Sequence, residues 1–305
     1  MSYLLRLTLL SLGVFFLNYL LVSSALAAFW PLIRRRASRW KDSALYSVRV
    51  SPLAIAAAIV ALLLIPSFLY LEPSGIGEAL SAAALAFAFG GIAVLLAGGI
   101  SVLLACRRTA QFVAAHAKVG VEKTSAIEVY GTAPMLAVAG AYHPRLLVSR
   151  DLKHVLAPGE MHAAIQHELA HIHRHDNLKK LVFRFARFPF LAGLERAWLN
   201  AAELAADDAA ATSEVVAVDL ASALLKVAGT SNSAPLPDLA MSLVPERDHA
   251  LRLRVERLLA WKPRSRTRRR FSSYAAPIVF AVVLLAITYS PLLRHVHELT
   301  ELFAR

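Results

Sequence analysis

Four apolar stretches, each near the roughly 20 residues that cross a bilayer, constrain this chain more than any other feature in it. They cover residues 3–29, 52–71, 79–105 and 274–293 of the 305. Composition agrees, since 57% of the residues are hydrophobic, above the about 45–50% of soluble domains. A single soluble domain is thereby excluded. The first stretch reads as a retained helix, because only Arg6 precedes it while Arg34, Arg35 and Arg36 follow, the reverse of a signal peptide's basic front.

Basic residues set an orientation. Arg34, Arg35, Arg36, Arg39, Lys41 and Arg49 fill the first connection, whereas the second, residues 72–78, has no Lys or Arg. By the positive-inside rule the first connection is cytoplasmic, as are Arg107, Arg108 and the basic run within 262–270. Both termini are then extracytoplasmic. The excess of 33 Lys and Arg over 21 Asp and Glu follows from this topology and from attraction to anionic lipid, so no specific nucleic-acid binding is expected. Cys106, the one cysteine, excludes an internal disulfide and any CxxC site, leaving His and carboxylate as the only metal donors.

The expected organisation has three parts. Residues 1–106 hold three membrane helices (3–29, 52–71, 79–105), residues 107–270 form a cytoplasmic domain large enough for its own core, and residues 271–305 hold a fourth helix (274–293) and a short extracytoplasmic tail. Within the domain, 126–130, 135–138 and 145–148 are apolar runs between Gly131, Pro134, Gly140 and Pro144, the pattern of short strands. From Pro158, with Glu160 in the first turn, the pattern becomes helical.

In that helix stands His167-Glu168-Leu169-Ala170-His171. Histidines four apart share a helix face one turn apart and can converge on one zinc ion, while Glu168 projects beside them to act as a general base on the attacking water. Chance would supply roughly 0.02 such motifs in a chain of this composition. A catalytic zinc takes a third protein ligand. The HExxHxxGxxH extension fails, with Arg174 and Asn177 at the glycine and third-histidine positions, and His175 lies too far along the helix. Glu203 in the Ala-rich stretch around it is the better candidate, with Asp207 four residues on and able to orient a ligand imidazole; Glu195, Asp208 and Glu214 compete.

These residues resemble the BlaR/MecR-type membrane metallopeptidases of bacteria, gluzincins related more distantly to the HtpX-like proteases. The resemblance rests on the HELAH motif followed by Arg174 and Asp176-Asn177, on Glu203 to Asp207 as an ExxxD helix, and on Gly140 with Pro144 to Ser149 upstream. It implies an α-helical multi-pass protein of the cell (inner) membrane, with a cytoplasmic α+β zincin-like metalloprotease domain inserted between membrane helices 3 and 4. It also implies Glu203 as the third zinc ligand and Asp207 as the partner of a ligand histidine. About 15 residues follow Ser290, so the family's penicillin-sensing domain is not expected.

The function expected is a zinc endopeptidase acting on cytoplasmic or membrane-associated proteins, with a cytoplasmic transcriptional repressor as one candidate partner. Quality-control proteolysis, or a non-catalytic scaffold retaining a metal site, are the alternatives. His249, Arg252 and Arg254 are candidates to stabilise an oxyanion, against the competing use of a surface-charged helix. Residues 135–138 could offer an edge strand to substrate or lie inside the sheet. The basic and aromatic segment 179–190 suits either a headgroup layer or a core.

Overall fold

The computed structural model describes residues 2–37, 39–71, 79–116, 126–129, 136–149, 151–230, 239–243, 248–263 and 275–304. The expected connection 72–78, the basic run 264–270, and Gly131, Pro134 and Met135 lie outside the described residues. In chain order the elements are α1 (Tyr3–Ala37), α2 (Asp42–Ile59), a π turn (Val60–Leu64) leading into α3 (Ile65–Leu71), α4 (Ala82–His116), β1 (Ala126–Val129), β2 (Leu136–Ala139) and β3 (Arg145–Ser149). They continue with α5 (Leu152–Val155), α6 (Pro158–His173), α7 (Asp176–Phe185), α8 (Ala192–Ala210), α9 (Glu214–Thr230), β4 (Ala240–Ser242), α10 (Asp248–Leu259) and α11 (Ala275–Ala304). The chain divides into two compact units, residues 1–29, 50–97 and 265–305 forming one and residues 30–49 and 98–264 the other.

The first unit is helical. Three helices, Tyr3–Ala37, Asp42–Leu71 and Ala82–Ala115, are long and apolar enough to cross a membrane. Helices pack closely in lipid where small residues let backbones approach, and Gly91 has no room for a Cβ against the Leu12 carbonyl. The π turn has a cause in Pro66, which cannot donate to residue 62 and would clash with its carbonyl in a regular helix. The freed Leu62 carbonyl accepts the Tyr289 hydroxyl at 2.6 Å, as a backbone group in an apolar setting requires. Beyond Pro291, where a short tail was expected, α11 stays helical to Ala304, and Glu301 accepts both its bonds from Arg6, at 2.9 and 3.0 Å.

The second unit carries a four-stranded sheet in the order β1-β3-β2-β4, with β1 parallel to β3 and the other pairs antiparallel. Strands alternate their faces: Leu136, Val138, Leu146 and Val148 enter the main core with Ala163 and Ala164 of α6, while Leu147 and Ala139 face Phe112 and Val113 of α4. β2 is paired on both sides, so residues 136–138 lie inside the sheet, and β4 is an edge among the described residues. Pro158 opens α6, and the Glu160 carboxylate accepts the Ala157 N–H at 2.8 Å. That carboxylate also accepts from Ser222 and Lys226 of α9, fixing one helix to the other.

Two sequence boundaries move. α2 begins at Asp42 rather than near residue 52, and α4 runs past 105 to His116. Arg49, read as part of a basic connection, is a buried helical residue that donates to Glu195 at 2.6 Å and to the Ala186 carbonyl at 2.7 Å. Its charge is neutralised by an ion pair, which hydropathy along the chain does not register. In segment 179–190, Phe183 is core: it meets Trp198 edge-on at 5.0 Å and lies under the Arg49 guanidinium. Phe190 is exposed.

Candidate metal centre

Two helices build the site. α6 presents His167, Glu168 and His171, and α8 presents Glu203 and Asp207; all five side chains are buried. One ligand-type atom from each of His167, His171 and Glu203 falls within 4.8 Å of the others. The two Nε2 atoms are 3.2 Å apart, and they lie 3.5 and 3.6 Å from the Glu203 oxygens. A tetrahedral ion with bonds of about 2.0–2.1 Å needs ligand atoms about 3.3–3.4 Å apart, so the triangle fits one ion. The donor set, two imidazoles and one carboxylate, leaves a fourth position open, as a catalytic site requires. The competitors for third ligand are engaged elsewhere: Glu195 pairs with Arg49, Asp208 with Arg257, and Glu214 opens α9.

The far nitrogens of both imidazoles are held by carboxylates. His167 Nδ1 lies 2.9 Å from Asp207 Oδ1, and His171 Nδ1 lies 2.8 Å from Asp176 Oδ2. The Asp176 hydrogen bond fixes the tautomer of His171, and both carboxylates make the facing imidazole a better donor to a metal. Asp176 is itself steadied by Lys179 at 2.8 Å and by Arg174, whose Nη2 reaches Asp42. Burial works against the Asp176 charge, but His171 and Lys179 hold its carboxyl down at about 2. Burial likewise opposes charge on His167, yet Asp207 and Glu203 raise its imidazole to about 9, a measure of how strongly these carboxylates attract a cation.

Glu168 differs from every other carboxylate here. Neither oxygen has a hydrogen-bond partner among the described residues, and burial pushes its carboxyl up to about 8. An unpartnered buried carboxyl is costly, and a pKa near neutrality is what a proton-transferring group needs.

Three participants have contacts that the reading of the sequence did not assign to them. Arg254 of α10 is buried, not part of a charged surface; it donates to both Asp207 oxygens at 2.7 Å, lies 3.0 Å from Glu203 and donates to the Leu243 carbonyl. Burial disfavours its charge, and Asp207 and Glu203 restore it. The signal was available: Arg254 interrupts the apolar stripe of Leu251, Val255 and Leu258. Asp176 follows the motif at the turn where His175 takes a left-handed φ of 54°, which no helical periodicity indicates. Lys180 is the third: burial lowers its ammonium to about 8, and it donates to the Ala240 carbonyl of β4. Arg252, by contrast, is an exposed partner of Glu256.

Two imidazoles and a free carboxylate on one helix, faced by a carboxylate from a second, are the layout of a metallopeptidase, and the long apolar helices make it a membrane-associated one. The chain belongs to a family of that class: the model of the BlaR1 peptidase M56 family matches residues 19–258. A search of the curated proteins gives no match.

Proposed function

We propose that the protein is a zinc endopeptidase in which His167, His171 and Glu203 hold the ion and Glu168 is the general base. The observation that carries this reading is the convergence of three buried ligand atoms within 4.8 Å beside the unpartnered carboxylate of Glu168. When bound, the ion supplies Lewis acidity toward the peptide carbonyl and toward water. Glu168 takes a proton from the attacking water and returns it to the leaving amine. Asp207 and Asp176 keep the two imidazoles in register, and Arg254 balances the charge of Glu203 and Asp207. β4 lies against α6 and α7, and Lys180 anchors that strand by donating to the Ala240 carbonyl, which faces away from β2.

In this reading the peptidase is an α+β zincin-like domain of about residues 107–270, cytoplasmic and placed between a third and a fourth membrane helix, the last within α11. The Lys and Arg distribution supports that side. Substrates are then cytoplasmic or membrane-associated proteins, and limited cleavage of a transcriptional repressor is one role open to such an enzyme.

Zinc content and casein cleavage, measured on detergent-purified protein beside its Glu168→Gln variant, test the assignment. Zinc in both with cleavage only in the parent is the expected result. Cleavage retained by Glu168→Gln would remove Glu168 from its role, and absence of zinc from the parent would overturn the metal assignment.

A further inference from the structure

The second unit holds a cavity of about 670 Å³ whose walls are α8, α10, the last turn of α1, the connection carrying Arg39, Trp40 and Lys41, and the first turn of α2. α8 and α10 reach it with other faces than those bearing Glu203, Asp207 and Arg254. Four cations line it, Arg34, Arg39, Lys41 and Arg257. Its two carboxylates are already committed, Asp42 to Arg174 and Asp208 to Arg257 at 2.8 Å. Among the described residues no carboxylate pairs with Arg34, Arg39 or Lys41. The cavity therefore keeps an excess of positive charge and attracts an anion.

Depth along α1 says which kind. α1 is one continuous helix from Tyr3 to Ala37, and its apolar run continues through Trp30, Pro31, Leu32 and Ile33 up to Arg34, so at about 1.5 Å per residue Arg34 to Arg36 occupy roughly the first 5 Å beyond it. A bilayer's headgroup layer spans about 5–8 Å past the hydrocarbon core. Apart from Asn200 the rest of the lining is apolar, with Leu204, Leu253 and Trp40 among it, and tryptophan is enriched at that depth. A free inorganic anion would use the charges and leave this apolar wall bare.

We propose that the cavity binds the phosphate headgroup of an anionic phospholipid, with Arg34, Arg39 and Lys41 as its charge partners and the Trp40 and leucine wall against its glycerol and first acyl carbons. Cationic pockets beside membrane helices recognise headgroups in this way. The site is separate from the metal centre and stands whether or not the chain is a peptidase.

The test is native mass spectrometry of the full chain released from nanodiscs of phosphatidylcholine and phosphatidylglycerol in equal amounts. The parent should retain phosphatidylglycerol selectively. The Arg34→Gln/Arg39→Gln/Lys41→Gln variant should lose that retention by at least about tenfold. A control with the same charge change outside the lining, Arg35→Gln/Arg36→Gln/Arg252→Gln, should keep it. Equal loss in both variants would show diffuse surface attraction and overturn the proposal, as would unchanged retention in the cavity variant. Displacement of the lipid by an equal concentration of glycerol phosphate would also overturn it, in favour of a soluble anion. A normal circular dichroism spectrum and elution volume for each variant keep misfolding from imitating the expected loss.

Discussion

At the scale of single residues, the site depends on charges that have no access to water and must balance one another. Asp207 touches His167 on one side and Arg254 on the other. Asp207→Asn keeps the shape but weakens the hold on the imidazole, so zinc affinity should fall about 10–100-fold in competition with a chromogenic chelator. An unchanged affinity would make Asp207 merely a partner of Arg254. Arg254→Met removes a guanidinium shared by Glu203 and Asp207 and leaves these two buried carboxylates with the imidazoles of His167 and His171 as their neighbours. The expected cost in the metal-free protein is about 3–5 kcal/mol, read as a lowered unfolding midpoint in detergent. A smaller loss in the zinc-loaded protein is expected, because the ion itself neutralises Glu203.

At the scale of elements, the HExxH helix is placed by its neighbours more than by its own propensity. Glu160 at the start of α6 caps that helix and accepts from Ser222 and Lys226 of α9. Burial opposes its charge, but these donors outweigh burial and hold the carboxyl below its ordinary 4.5. A depressed carboxyl stabilises the fold above its unfolded pKa, and that contribution is lost as pH falls through the folded value. Glu160→Gln should therefore cost about 1–2 kcal/mol at pH 7. The cost should shrink once the pH is below 4.5, where the parent also becomes protonated. Thermal unfolding of parent and variant across pH 3–8 would show it; a pH-independent difference would mean that Glu160 acts by packing alone.

At the scale of the molecule, the proposed metal site would tie α6 to α8, and through Arg254 those helices are tied to α10 and to the end of β4. A ligand that binds only the native arrangement stabilises it by mass action, by about 4 kcal/mol at a thousandfold excess over its dissociation constant. Chelation should accordingly lower the unfolding midpoint, and stoichiometric zinc should restore it. A midpoint indifferent to chelator would mean that the three ligands do not hold an ion in the folded protein.

The apolar stretches, the helical HExxH and the family resemblance were legible because each is written in neighbouring residues: length decides whether a segment spans lipid, and a spacing of four places two histidines on one face. β1, β2 and β3 also announced themselves, through short apolar runs between glycine and proline, whereas β4 did not. Glu203 was one of four acidic candidates until the resemblance singled it out. What brings it opposite the histidines is the packing of α8 on α6. Arg49, Asp176, Lys180 and Arg254 show the limit of such reading. A charged residue looks the same in sequence whether it meets water or a buried carboxylate, and the partners that decide the matter lie from 5 positions away, for Asp176 and His171, to 146, for Arg49 and Glu195. Local pattern determined which segments could enter a membrane and which could bind metal. Only the tertiary structure decided which charges are buried, because burial depends on contacts between segments that the chain order keeps apart.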